Sequence, residues 1–149
     1  MVRVLMAVDG SDHDAETAHA LAHLLRDGRD VEVIVLNVAH VTLPVPPEEF
    51  EIPVPEGEEI ITRWELEAKQ AADEIVAGAE RAIRDVGLRT IGQVEWGDAA
   101  TTILETAESE GVDLIAVGSR GAGQVSGYLL GSVSSRVTHQ AKIPVLVVH

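Results

Sequence analysis

The sequence predicts an α/β fold: a single open, parallel, five-stranded sheet with helices on both faces. Two observations carry this. Apolar, β-branched runs of strand length alternate along the chain with segments of helical periodicity, and right-handed crossovers between parallel strands place helices on both faces of one sheet. The fourth of these runs, 113–117, feeds directly into a glycine-punctuated stretch followed by a helix start. No internal repeat and no second domain interrupts the alternation, so one domain spans 1–149.

Residues 2–8 form the first strand, ending at Asp9. Over 12–26, Ala15, Ala18, Ala22 and Leu25 recur on one helical face, with Ser11 or Asp12 as cap and Gly28 closing the helix. A β-branched run at 31–38 is the second strand. Residues 39–57 hold five of the six prolines (Pro44, Pro46, Pro47, Pro53, Pro55) with Glu48, Glu49 and Glu51. Proline removes donors and blocks helix, so this is an acidic loop of unusual length. A long amphipathic helix follows over 58–86, with Ile61, Trp64, Ala68, Ala71, Ile75, Ala79, Ala82 and Val86 in one stripe and Gly87 at its end. Residues 88–96 form the third strand. Asp98 caps a helix that turns Ile103, Leu104 and Ala107 inward and stops at Gly111. The fourth strand covers 112–117, a last helix 131–140, and the fifth strand 143–148.

The stretch behind the fourth strand carries the functional signal. It reads Gly118-Ser119-Arg120-Gly121, nine further residues, then Gly131-Ser132-Val133-Ser134. Strand, glycine loop and helix start together make an anion site. Glycine lets backbone N–H groups come close, and the first helical turn offers unpaired donors at the positive end of its dipole. The serine hydroxyls add donors at the same place, so the pattern points to a nucleotide. It is not a P-loop, because Gln124 and Val125 stand where lysine and a hydroxyl residue belong, and not a dinucleotide fingerprint, because Ser126 replaces the third glycine.

What remains is G-x-x-G-x9-G-S. With the opening Val2-Arg-Val-Leu-Met-Ala-Val-Asp-Gly-Ser11 and the ending Ile143-Pro-Val-Leu-Val-Val148, it resembles the ATP-binding branch of the universal stress protein family. The likeness covers nearly the whole chain, and the C-terminal third carries most of its specificity. It implies a Rossmann-like sheet of order 3-2-1-4-5, similar to the adenine nucleotide alpha hydrolases. The crevice then falls between strands one and four, at the switch in strand order, beside Asp9 and Gly118. By the same resemblance, Ala7 and Asp9 line an adenosine pocket, Val38 offers backbone groups to adenine, and Val117 and Gly118 flank the ribose. Arg120 and Gly121 lie in the phosphate loop, and Gly131, Ser132, Val133 and Ser134 hold phosphates. The expected ligand is ATP, with Mg²⁺ or Mn²⁺ carried by its phosphates. The expected assembly is a homodimer through strand 143–148, an apolar edge with only Pro144 to break its hydrogen-bonding row. The expected role is a stress-response or sensor module.

Composition sets the remaining bounds. The aromatic content is only 3%, so the core is built from Ala, Val, Leu and Ile. There is no apolar run long enough to span a membrane and no signal-peptide pattern, and cysteine is absent. These features set cytoplasmic localisation as the expectation. A formal net charge of −14, from 25 acidic and 11 basic residues, argues against nucleic acid or an anionic membrane as partner. Lysine occurs only at 69 and 142. Such a surface suits a halophile's protein or an ordinary acidic cytosolic one. Because the charge repels a nucleotide, a divalent cation is expected to travel with it.

Catalysis finds little support. The glycine stretch offers one arginine, no lysine and no evident base. Ser119 lies in no G-x-S-x-G elbow, and no Ser-His-Asp set is visible. The reading is a binding module with at most slow ATP hydrolysis. A non-nucleotide dimeric scaffold and a weak nucleotide-hydrolysing enzyme are the alternatives. His19 and His23 have metal-ligand spacing but read as surface histidines, Arg136 reads as a surface ion-pair residue, and Trp64 and Trp96 as packing residues.

Overall fold

A computed structural model describes residues 1–25, 30–40, 54–119 and 131–149, with 54–62 described as backbone alone. The elements run β1 (Val2–Ala7), α1 (His13–Leu24), β2 (Val31–Ala39), α2 (Val54–Asp85), β3 (Arg89–Trp96), α3 (Ala99–Glu110), β4 (Leu114–Gly118), α4 (Ser132–Gln140) and β5 (Val145–Val148). The strands pair in the order β3-β2-β1-β4-β5, all parallel. This is the order the resemblance implies. Central β1 is paired on both sides, with Val4 opposite Val33 of β2 and Leu114 of β4.

Alternation along the strands divides the core into two layers. Val4, Met6, Val33 and Val35 point to the face covered by α1 and α2, where Ala18, Leu21, Val76, Ala79 and Ile83 meet them. Leu5, Ile34, Leu36, Ile115 and Val117 point the other way, onto Ala100, Ile103 and Ala107 of α3 and Val137 of α4. Full burial of side chains such as Leu5, Met6, Leu21, Ile34 and Ile83 stabilises the fold by roughly 1.5–3 kcal/mol each.

Several boundaries differ from the sequence reading, for identifiable reasons. Helix α2 starts at Val54, inside the segment read as a loop, and Pro55 stands in its first turn. A proline there loses no helical bond, because first-turn N–H groups have no partner in any case. Strand β5 starts after Pro144, whose carbonyl accepts from the Ile115 N–H at 3.0 Å. The prolines at 44, 46, 47 and 53, and Gly28, lie outside the described residues.

The buried helix faces are also rotated from expectation. In α1 the inward residues are Thr17, Ala18 and Leu21, and Ala15 is exposed. In α2 they are Ala72, Val76, Ala79 and Ile83, one position beyond most of the predicted stripe. Helix α3 matches: the Asp98 carboxylate accepts from the Thr101 N–H at 3.0 Å, and Gly111 closes it. Trp96, read as a packing residue, stands 45% exposed on the edge strand β3.

Candidate functional site

The strand order reverses at β1. Its chain leaves towards β2 on one side, while β4 pairs on the other. Helices depart to opposite faces at this point, and a crevice opens over the carboxyl ends of the strands. A cavity of about 460 Å³ occupies it. The resemblance named eleven residues as ligand-binding. Nine of them line this cavity: Ala7, Asp9, Val38, Val117, Gly118, Gly131, Ser132, Val133 and Ser134. Arg120 and Gly121 lie outside the described residues. The fold thus gathers positions more than a hundred residues apart into one wall.

The cavity has an apolar slot and a polar rim, the usual composition of a small-molecule site. The slot is aliphatic, with Ala68, Ala71, Ala72 and Ile75 of α2 on one side and Ala99 and Ile103 of α3 on the other. Short alanine side chains leave a flat space between the helix and the strand ends. Buried Asn37 of β2 also lines it, and its Nδ2 donates to the Val8 carbonyl at 2.8 Å. That bond ties the ends of β1 and β2 together beyond their ladder.

One part of the rim is the turn between β1 and α1. Gly10 adopts φ +83°, and a β-carbon there would stand 2.9 Å from Cγ1 of Ile75. Asp12 occupies the N-cap of α1 but makes no side-chain cap bond. Asp14 organises the turn instead. Its Oδ2 accepts from the Gly10 N–H at 2.7 Å and its Oδ1 from the Asp9 N–H at 3.3 Å. Asp9 Oδ1 accepts in turn from the Ser11 N–H at 2.9 Å. Burial pushes the Asp14 carboxyl up to about 6, with the Asp9 charge adding to the rise and the two N–H donors opposing it. The buried Ser11 hydroxyl finds no hydrogen-bond partner among the described residues.

The start of α4 forms the opposite part. The Gly131 N–H donates to the Ser119 carbonyl at 2.6 Å, and the buried Ser134 hydroxyl donates to the carbonyls of Ser119 and Gly131. These bonds clamp the helix start onto the end of β4. The first intrahelical bond runs from the Ser135 N–H to the Gly131 carbonyl at 2.9 Å. The N–H groups of Ser132, Val133 and Ser134 therefore have no partner within the helix. Ser132 is exposed and both it and Val133 line the cavity.

Arg136 does not line the cavity. It makes an ion pair with Asp98 at 2.9 Å, as a surface residue would. The Thr101 hydroxyl and N–H, and then Arg136, hold the Asp98 carboxyl below its ordinary value. Among the described residues, no lysine or arginine lines the cavity, and no group of three His, Cys, Asp or Glu side chains is arranged to hold a metal.

Sequence reasoning missed Asp14, Asn37 and the alanine wall of α2. Asp14 had a signal: an acid placed four residues beyond a glycine in a strand-to-helix turn. Asn37 had a fainter one, as the sole polar residue in an apolar strand interior after Glu32.

A parallel α/β sheet with a cavity at its switch point, bounded by a helix start, defines a Rossmann-like domain with an open crevice at its carboxyl edge. The chain belongs to the universal stress protein family, whose model matches residues 1–149. It is 32% identical over 146 residues to the universal stress protein YxiE of Bacillus subtilis (strain 168), covering 98% of this chain and 97% of that protein. It is 34% identical over 120 residues to universal stress protein MJ0577 of Methanocaldococcus jannaschii, covering 80% and 67%. The solved structure of MJ0577 superposes with a TM-score of 0.79 at 26% identity, covering 99% of this chain and 94% of that one. The universal stress protein from Archaeoglobus fulgidus, solved in complex with dAMP, superposes at 0.65 with 20% identity, covering 100% and 98%.

Proposed function

We propose that this chain binds an adenine nucleotide, ATP with Mg²⁺ or Mn²⁺ on its phosphates, and acts as a dimeric cytoplasmic stress-response or sensor module with at most slow hydrolysis. One observation carries the reading: the unpaired N–H groups of Ser132, Val133 and Ser134 open onto the same cavity as the aliphatic slot. A flat heterocycle fits between the alanines of α2 and the strand ends. A phosphate fits the start of α4, where donors and dipole both favour an anion. The binding of dAMP by the Archaeoglobus protein agrees with this. Because no basic side chain among the described residues lines the cavity, a divalent cation arriving with the phosphates supplies the neutralising charge.

The test is mass spectrometry of ligand released from the purified protein, with calorimetric titration of ATP and Mg²⁺. Ser132→Asp is the informative variant. A carboxylate in the first turn of α4 favours the helix but repels a phosphate. Thermal stability should hold or rise slightly, while ATP affinity falls by about tenfold or more, since one such contact is worth at least ~1.4 kcal/mol. Equal ATP affinity in wild type and variant would remove α4 from the site. No nucleotide bound at all would leave the dimeric scaffold.

A further inference from the structure

Asp14 has no role in the anion reading, yet it stands in the cavity wall with Asp9 beside it. The two carboxylates share one short turn. Asp14 takes the N–H groups of Asp9 and Gly10, and Asp9 takes that of Ser11. Among the described residues, the other titratable side chains facing this space are His13, whose Nδ1 lies 3.0 Å from Glu16 Oε2, and His40 beyond β2. Among the described residues, helix α2 presents alanines and Ile75 to it, and α3 and α4 present apolar groups and serines. A protonated His13 favours the ionised form of Asp14, against the burial that disfavours it.

A ligand filling the cavity strips the remaining water from this carboxyl and, if it carries phosphates, adds negative charge nearby. Both effects disfavour the ionised form. We infer, resting on the nucleotide reading above, that binding is proton-linked through Asp14: the occupied cavity holds this carboxyl neutral, and the protein grips its ligand more tightly as pH falls. The proton belongs on Oδ1, whose contact with the Asp9 N–H is long at 3.3 Å, while Oδ2 keeps the Gly10 N–H at 2.7 Å. The neutral group then turns an O–H donor towards the ligand. Burial has already brought Asp14 to about 6 in the free protein, so the linkage operates just below neutral pH. A sensor built this way reads the proton as well as the nucleotide.

The sign follows from linkage. A ligand that raises this carboxyl's proton affinity takes up a proton on binding, and its own affinity rises by up to tenfold for each unit of increase. The experiment titrates ATP into wild type and Asp14→Asn, with excess Mg²⁺ keeping the phosphates ionised. It is run at pH of about 5.5 and about 8, in buffer pairs of different ionisation heat. Wild type should gain about five- to tenfold more affinity at the lower pH than the variant, with proton uptake that the variant lacks. His40 and the ligand are common to both proteins and cancel, and His13, which acts on Asp14 through its charge, is controlled by making His13→Gln in both proteins. An identical pH ratio in the two proteins overturns the inference and leaves nucleotide binding intact. No ATP binding at either pH overturns both. If Asp14→Asn does not fold, the double variant His13→Gln, His40→Gln decides. Proton uptake must survive it, and its loss would assign the linkage to the imidazoles.

Discussion

At Gly10 the backbone turns through φ +83°, where a side chain costs about 1–2 kcal/mol. A β-carbon would also stand 2.9 Å from Ile75. Gly10→Ala should therefore lower the unfolding free energy by at least that amount, read as a lower denaturant midpoint with the slope of the transition unchanged. It should also weaken ATP binding, because the turn it distorts places Asp9, Ser11 and Asp14 in the cavity wall. A variant as stable as wild type would show that the turn relaxes without loss. In the sequence Gly10 stands inside the opening motif, directly after the first strand and Asp9. It did not display Asp14, whose partners are backbone groups of its own turn. Hydrogen bonds to backbone leave no complementary residue type for a sequence pattern to reveal. Arg136 was legible because a charged residue on a short polar helix has few other fates.

Helix α2 and strand β3 meet at a glycine. A β-carbon at Gly92 would stand 2.5 Å from Cγ1 of Val76 and 3.0 Å from Cδ of Glu80. Val76 is 6% exposed in the core, so it has little room to withdraw. Gly92→Ala should push α2 off the sheet edge and destabilise by about 1–3 kcal/mol, the usual range for overpacking. Chemical denaturation measures this, and no change would mean that the helix slides freely. Because the same helix supplies the alanine wall, ATP affinity should fall with stability. The alanine-rich sequence of α2 explains why its inward face was read one residue out of register. Ala68, Ala71 and Ile75 form one apolar stripe and Ala72, Val76 and Ile83 the next. Periodicity alone ranks them nearly equally. The structure uses both: Ala68, Ala71 and Ile75 line the cavity, Val76 and Ile83 pack in the core, and buried Ala72 belongs to the second stripe yet also lines the cavity.

For the whole molecule, strand β5 closes one side of the sheet with Val145, Leu146, Val147 and Val148, all half-buried. An uncharged, unpaired edge recruits another strand, and self-pairing closes as a two-fold dimer. Light scattering at micromolar concentration should give twice the chain mass. Val147→Glu should raise the dissociation constant at least about tenfold, because a charge would be desolvated beside the partner strand. A monomeric wild type would sink this reading. The strand alternation and the element types were legible from apolar periodicity. The strand order came from the resemblance, because no local pattern states which parallel strand lies beside which. The site was half legible for the same reason. Its glycines and serines announce themselves, while its aliphatic wall looks like any other core.

The two rims of this sheet are chemically unlike. Strand β3, at the far side, bears Arg89 and Glu95, both exposed. Strand β5 bears no charge at all. In the vocabulary of polymer chemistry, the dimer proposed above would make the subunit monofunctional: one reactive end, and joining two such ends terminates growth. Remove the charges at 89 and 95 and the same subunit becomes bifunctional, with a second rim open to the next copy. On that proposal, two exposed ionic side chains on the remote strand would separate a closed pair from an unbounded fibre.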